Sequence, residues 1–120
     1  MSNIRIIGLG AGGIDELTVK AYNTLLDGSP ILIRTDRHPV VDQLRKKGIN
    51  FVTFDNLYDK FDDFEKLYNE IIAETLEKSK KYGTINYCTA GSPYFGDIVT
   101  EKLLQNNYEN VQIEIFDGIS

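Results

Sequence analysis

The sequence predicts a three-layer α/β fold in which a five-stranded, mainly parallel sheet lies between two layers of helices. Short apolar runs alternate with stretches whose apolar residues recur at helical spacing, so that strands and helices follow one another in strict alternation. Crossover connections between parallel strands are right-handed, and helices therefore cover both faces of the sheet. With 120 residues and a mass of 13.6 kDa, the chain is expected to form one domain over residues 1–120.

The first half of the chain contains three expected strands and two expected helices. The strands are the short apolar runs Ile4–Ile7, Ile31–Ile33 and Phe51–Phe54. Apolar residues recur at helical spacing over 17–26, which predicts a helix between the first two strands. Val40–Lys47 forms the second helix, and Gly48 ends it because glycine readily adopts the left-handed conformation that terminates helices.

The longest helix follows, with Asp62 or Asp63 as its N-cap and Gly83 at its C-terminal end. Its expected buried stripe consists of Phe64, Leu67, Tyr68, Ile71, Ile72 and Leu76. The fourth strand is Ile85–Cys88, after which Asp97 caps a helix that continues through Leu104.

The last strand is expected at the edge of the sheet or half-exposed. In this strand Val111, Ile113 and Ile115 alternate with the polar residues Gln112 and Glu114.

Composition excludes several classes of protein. Thirteen basic against eighteen acidic residues give a net charge of −5, the wrong sign for a general nucleic-acid binder. No apolar stretch approaches the roughly 20 residues that cross a bilayer, so no membrane association is expected. The single cysteine cannot form an intramolecular disulfide, and a cytoplasmic location is the simplest expectation.

The loop after the first strand is rich in glycine. Gly8, Gly10 and Gly13 satisfy the G-x-G-x-x-G pattern, and Asp36 lies at the end of the second strand, where a ribose-binding acid would be. This pattern favours a dinucleotide such as NAD. Asp15, the expected N-cap, and the adjoining Glu16 oppose that reading, because they place negative charge where a diphosphate would bind. A tight turn without a ligand stays open.

The loop after the fourth strand, residues 89–97, combines glycine, proline and two aromatic residues. Tyr94 and Phe95 offer a surface for a flat or partly apolar ligand, although a turn before a helix needs no ligand to explain these residues. If the first and fourth strands are neighbours, the two glycine-containing loops form two walls of one crevice.

Few other side chains indicate chemistry, and no catalytic residue is assigned. Arg34 and Arg37 could each bind carboxylates of an acidic substrate through two hydrogen bonds, although surface arginines usually have no such specific role. His38 is expected to face solvent or to stabilise a turn rather than to transfer protons, and Cys88 to pack in the core. No metal site is expected, because the nearby acids lack a ligand pattern and instead suit a solvated loop and helix start: Asp55, Asp59, Asp62, Asp63 and Glu65.

Two segments resemble the signatures of the tetrapyrrole (corrin/porphyrin) methylases, which use S-adenosylmethionine. Residues 8–18 are similar to V-G-x-G-P-G-D-x-x-L-L-T, with Ala11 in place of proline and Gly13 in place of aspartate. Residues 90–96 are similar to G-D-P-x-x-x-G, with Ser92 in place of the acid. The resemblance covers the chain but only the N-terminal lobe of that two-lobed fold.

A narrower resemblance is to the branch in which such a domain precedes a MazG-type nucleoside triphosphate pyrophosphohydrolase. The segment Arg34–Val41 is similar to the branch signature R-T-x-x-H-P-V-V, and the segments Phe54–Tyr58 and Phe61–Phe64 that follow it are similar to F-D-x-x-Y. This resemblance implies that the natural protein continues into a C-terminal lobe and a fused pyrophosphohydrolase, and it leaves a homodimer open.

The family resemblance also implies a site. It places S-adenosylmethionine against Leu9, Gly10, Ala11, Gly12, Gly91, Ser92, Phe95 and Ser120. A small-molecule acceptor, tetrapyrrole-like or not, would meet Arg34, Arg37, His38 and Tyr94. The resemblance therefore implies that this chain is the N-terminal half of an S-adenosylmethionine-dependent methyltransferase domain. A non-catalytic nucleotide or adenosyl-ligand module, an NAD-binding Rossmann domain and a plain interaction domain stay open as alternatives.

Overall fold

The fold is described from a computed structural model, which describes residues 1–10, 12–89 and 97–116. Within these residues, five strands form one sheet with the order β3-β2-β4-β1-β5. The strands are β1 (Ser2–Gly8), β2 (Ile31–Ile33), β3 (Val52–Thr53), β4 (Thr84–Thr89) and β5 (Val111–Phe116). Every pairing is parallel, as expected from the alternation of strands and helices.

Five helices accompany the sheet in the described part of the chain. They are α1 (Val19–Leu25), α2 (Pro39–Lys46), α3 (Asp55–Tyr58), α4 (Phe64–Tyr82) and α5 (Ile98–Gln105). A single turn of 3-10 helix, Ile14–Glu16, precedes α1. The expected helices are confirmed within one or two residues at most ends. The four-residue α3 was not anticipated from the sequence.

The helices divide between the two faces of the sheet. Ile7 of β1 and Cys88 of β4 share a core with residues of α1 and α2, whereas Ile6 and Tyr87 share a second core with α3, α4 and α5. Neighbouring residues of one strand enter opposite cores because successive side chains point to opposite faces. The predicted three-layer arrangement is therefore confirmed.

The start of α1 differs from the sequence prediction. Asp15 lies in the 3-10 turn, and Thr18 is the N-cap of α1, with Oγ1 accepting a hydrogen bond from Ala21 N–H at 3.1 Å. The prediction of Asp15 as the N-cap was wrong, because an extra turn separates the glycine loop from the helix. The first turn of α1 consequently carries no acidic residue.

The long helix α4 is confirmed except at its first residue. Asp63 caps it, and Gly83 ends it with a φ of 86°. Leu67 and Ile71 are buried as expected, but Phe64 is 66% exposed. Phe64 lies in the first turn, beyond the edge of the core, and stacks on Tyr68 with 6.1 Å between ring centroids.

The last strand, β5, pairs with β1 on one side and lies at the edge of the sheet. Its polar residues are exposed and its aliphatic residues are half-buried, which confirms the predicted edge strand. None of the described helices is long and apolar enough to cross a membrane.

Candidate functional site

The two glycine-containing loops start side by side at the carboxyl edge of the sheet. Gly8 at the end of β1 pairs with Thr89 at the end of β4, and Leu9 N–H donates a hydrogen bond to the Thr89 carbonyl at 2.8 Å. The condition stated for a shared crevice, that the first and fourth strands are neighbours, is therefore met. The chain leaves β1 toward helices on one face and β4 toward α5 on the other. Crevices that bind ligands form at such divergent connections.

The glycine loop leaves little room for side chains. Gly10 is buried and has a φ of 69°, a left-handed conformation that favours glycine. A Cβ atom added to Gly12 would overlap the carboxylate of Glu16, so the Glu16 carboxylate packs directly on the Gly12 backbone. Leu9 is 1% exposed and its side chain belongs to the core. This loop can therefore offer mainly its backbone to a ligand.

His38 connects the loop after β2 to the glycine loop. It is the N-cap of α2, where its Nδ1 atom accepts a hydrogen bond from Val40 N–H at 3.1 Å. Its Nε2 atom lies 2.6 Å from the carbonyl oxygen of Gly10. The expectation that His38 stabilises a turn is confirmed, and its contact with the glycine loop could not be seen in the sequence.

The side chain of Arg34 contacts other residues of the protein rather than extending into solvent. Its Nη1 lies 2.8 Å from Oδ1 of Asp97, its Nε donates to the Tyr58 hydroxyl at 3.0 Å, and its guanidinium lies 5.3 Å from the centre of the Tyr68 ring. Burial by itself lowers the pKa of Arg34, but the hydrogen bond to Tyr58 and the charge of Asp97 outweigh burial and raise it. Arg34, which was predicted to bind a substrate carboxylate, is therefore paired with the carboxylate of Asp97.

Asp97 is the centre of this network and is 2% exposed. It is the N-cap of α5, as expected, and accepts hydrogen bonds from Val99 N–H at 3.0 Å and from the hydroxyls of Tyr87 and Thr100 at 3.1 Å. Burial and the charge of Asp97 raise the pKa of the Tyr87 hydroxyl well above its usual value, so Tyr87 stays a donor.

A cavity of about 350 Å³ opens beside the ends of β2 and β3. It is lined by Thr35, Asp36, Arg37, Asp55, Tyr58 and Asp59. Asp55 holds the loop after β2, because its carboxylate accepts from the Thr35 hydroxyl at 2.7 Å and from Asp36 N–H at 2.9 Å. Burial tends to raise the pKa of Asp55, but these hydrogen bonds outweigh it and lower the pKa.

The remaining predicted site residues divide into two groups. Cys88 is fully buried, and burial raises the pKa of its thiol to about 12, which confirms a packing role rather than a nucleophilic one. The other predicted residues lie outside the described residues: Ala11, Gly91, Ser92, Tyr94, Phe95 and Ser120.

Comparison with known proteins gives one consistent assignment. The profile of the tetrapyrrole (corrin/porphyrin) methylases matches residues 3–120. A relative from Bacillus subtilis (strain 168), the uncharacterized protein YabN, is 33% identical over 118 residues, which are 98% of this chain and 24% of that protein. The chain thus spans about a quarter of the length of this relative.

Two crystal structures of uroporphyrin-III C-methyltransferase from Thermus thermophilus share the fold. One has a TM-score of 0.65 at 20% identity over 99% of this chain and 48% of its own, and the native form has a TM-score of 0.67 at 20% identity, over 98% and 49%. Because the family profile extends over nearly all of the sequence, the chain belongs to the tetrapyrrole (corrin/porphyrin) methylase family.

Proposed function

We propose that the chain is the N-terminal half of an S-adenosylmethionine-dependent methyltransferase. The observation that carries the proposal is the pairing of Gly8 with Thr89, because it starts the two family signature loops at neighbouring points of one crevice. The family match over residues 3–120 supports the same reading. In this proposal a second lobe provides the opposite wall of the site.

The chemistry asked of this chain is modest. S-adenosylmethionine supplies an activated methyl group, so the protein chiefly has to hold the acceptor atom in line with it. The backbone of Gly10 and Gly12 would line the cofactor on one side, and the residues at Ala11, Gly91, Ser92, Phe95 and Ser120 would complete the contacts by family analogy. The acceptor would approach Arg37 or Tyr94.

The charge of the glycine loop fits this cofactor better than a dinucleotide. Glu16 holds a carboxylate against Gly12, where it attracts a sulfonium or ammonium group and repels a diphosphate. A dinucleotide site also needs a helix N-terminus directly after the glycines, whereas here the 3-10 turn at Ile14–Glu16 intervenes. Both observations count against the NAD-binding alternative.

We also propose that the chain is part of a longer protein, on the basis of its resemblance to the branch with a fused pyrophosphohydrolase. The segments Arg34–Val41 and Phe54–Tyr58 support a fused MazG-type pyrophosphohydrolase. A non-catalytic adenosyl-ligand module that regulates such a partner has the same cofactor crevice and differs only in lacking methyl transfer. Turnover therefore separates the two functions.

Calorimetric titration of the full-length protein tests the proposal. S-adenosylmethionine and S-adenosylhomocysteine should bind, and NAD should not bind. Transfer of a labelled methyl group to cell-extract metabolites should then be detectable. Binding without transfer supports the regulatory module, and absence of binding by both adenosyl compounds at millimolar concentration refutes the proposal.

A further inference from the structure

Helix α2 contacts the glycine loop at two points on either side of residues 11–13. Near the start of the loop, His38 Nε2 lies 2.6 Å from the Gly10 carbonyl oxygen. At its far end, the Gln43 side-chain oxygen accepts a hydrogen bond from Ile14 N–H at 2.5 Å. We call His38 and Gln43 together the α2 clamp.

The direction of the His38 hydrogen bond follows from its two contacts. Nδ1 accepts from Val40 N–H, so this nitrogen carries no proton. The neutral ring then has its proton on Nε2, and Nε2–H donates to the Gly10 carbonyl. One side chain thereby caps α2 and binds the Gly10 carbonyl.

Gln43 also determines how closely the loop approaches α2. A Cβ atom added to Gly13 would lie 2.9 Å from Oε1 of Gln43, so the Gly13 backbone packs against this side chain. With Gly10 in the left-handed conformation and Ile14 N–H bonded, both ends of the turn are fixed. The described residues on both sides of Ala11 thus contact a helix that belongs to the following β-α unit.

We infer that His38 and Gln43 are positioning residues for the adenosyl site, which raise cofactor affinity without touching the cofactor. The inference rests on the proposed function. A ligand bound through loop backbone pays less for ordering when that backbone is already fixed, so loss of either clamp residue should weaken binding. Because each contact is a single hydrogen bond, the expected loss is about tenfold or less.

The test uses variants that remove the clamp but keep α2. Gln43→Met preserves side-chain length and helix propensity and removes the acceptor for Ile14 N–H. His38→Asn retains an oxygen that can cap α2 but is too short to reach Gly10. Gln43→Glu keeps an acceptor and serves as the conservative rescue. Asp42→Asn is the matched control, because this exposed residue of the same helix pairs with Arg45.

The readouts are S-adenosylmethionine affinity by calorimetry on the full-length protein and the melting temperature of each variant. We expect Gln43→Met and His38→Asn to bind several-fold to about tenfold more weakly with little change in melting temperature. Asp42→Asn should bind like the wild type, and Gln43→Glu, which keeps the acceptor and adds a negative charge beside Gly13, should bind S-adenosylmethionine no more weakly than the wild type. Wild-type affinity in both clamp variants overturns the inference alone. A wild-type protein that ignores both adenosyl compounds refutes the proposed function and the inference with it.

Discussion

Nη1 of Arg34 lies 2.8 Å from Oδ1 of Asp97, joining the loop after β2 to the N-terminus of α5. The Arg34 side chain is 20% exposed and that of Asp97 is 2% exposed, so the pair is largely withdrawn from water. The two segments follow different strands and lead to helices on opposite faces of the sheet. This pair therefore ties together the two sides of the carboxyl edge on which the proposed site is built.

Replacement of Arg34 by methionine should destabilise the protein strongly. The change leaves the Asp97 carboxylate buried without its cation, which typically costs about 3 kcal/mol or more. Urea unfolding of Arg34→Met measures this loss. In the double variant with Asp97→Asn the loss should be smaller than the sum of the two single losses. Additive losses would show that the two side chains do not interact.

The stability that Asp55 contributes should depend on pH. Its pKa is lowered in the folded protein by hydrogen bonds from Thr35 and Asp36, so its contribution is complete above its ordinary value of 3.8 and is lost as the pH falls further. Asp55→Asn should therefore be less stable than wild type at pH 7, by about 1 kcal/mol. Unfolding free energies measured from pH 7 to pH 2 should converge in acid, and a constant difference would contradict this account.

Neutralising Glu16 should change ligand selectivity. The Glu16 carboxylate lies against Gly12, so Glu16→Gln removes negative charge from the proposed cofactor crevice. We expect S-adenosylmethionine to bind about fivefold more weakly and S-adenosylhomocysteine, which lacks the sulfonium charge, to lose less. Calorimetry at low salt provides the measurement. Glu109→Gln makes the same charge change at an exposed residue just before β5, at the amino ends of the strands. This control should not change the affinity for either compound.

Cys88 should be unreactive in the native protein. The thiol is fully buried and its pKa is about 12, so almost no thiolate forms at pH 8 and reagents have no access to it. Ellman's reagent should label Cys88 only under denaturing conditions, where one thiol per chain reacts. Rapid stoichiometric labelling in native buffer would show that β4 opens easily at its carboxyl end.

The sheet could be predicted from the sequence because its strands are apolar runs, and the segments between them have apolar residues at helical spacing. The strand predicted at Ile31–Ile33 has the same bounds in the structure. Its three consecutive apolar residues are all buried, as expected for a central strand of a parallel sheet. Periodicity failed where elements are short or terminal. The four residues of α3 are too few to show a period, and Phe64 fits the stripe of α4 but extends past the core.

The candidate site was only partly predictable. The glycines of the first loop were visible as a local pattern, whereas the adjacency of β1 and β4 was only a condition for the crevice, and the structure supplies it. The contacts of His38 with Gly10 and of Gln43 with Ile14 join residues 28 and 29 positions apart, and no spacing rule links them. The N-cap of α1 was assigned to Asp15 although Thr18 caps the helix, because the local pattern does not show the 3-10 turn at Ile14–Glu16.

Hydrogen exchange measured by mass spectrometry, with and without S-adenosylmethionine, tests the central claim most directly on the full-length protein. If the cofactor occupies the crevice that begins at Gly8 and Thr89, peptides covering residues 8–17 and 88–97 should both exchange more slowly when it is added. Exchange should be unchanged in peptides that cover residues 106–111, which lie at the amino ends of the strands. Unaltered exchange in both loop peptides at a saturating cofactor concentration would contradict the proposed site.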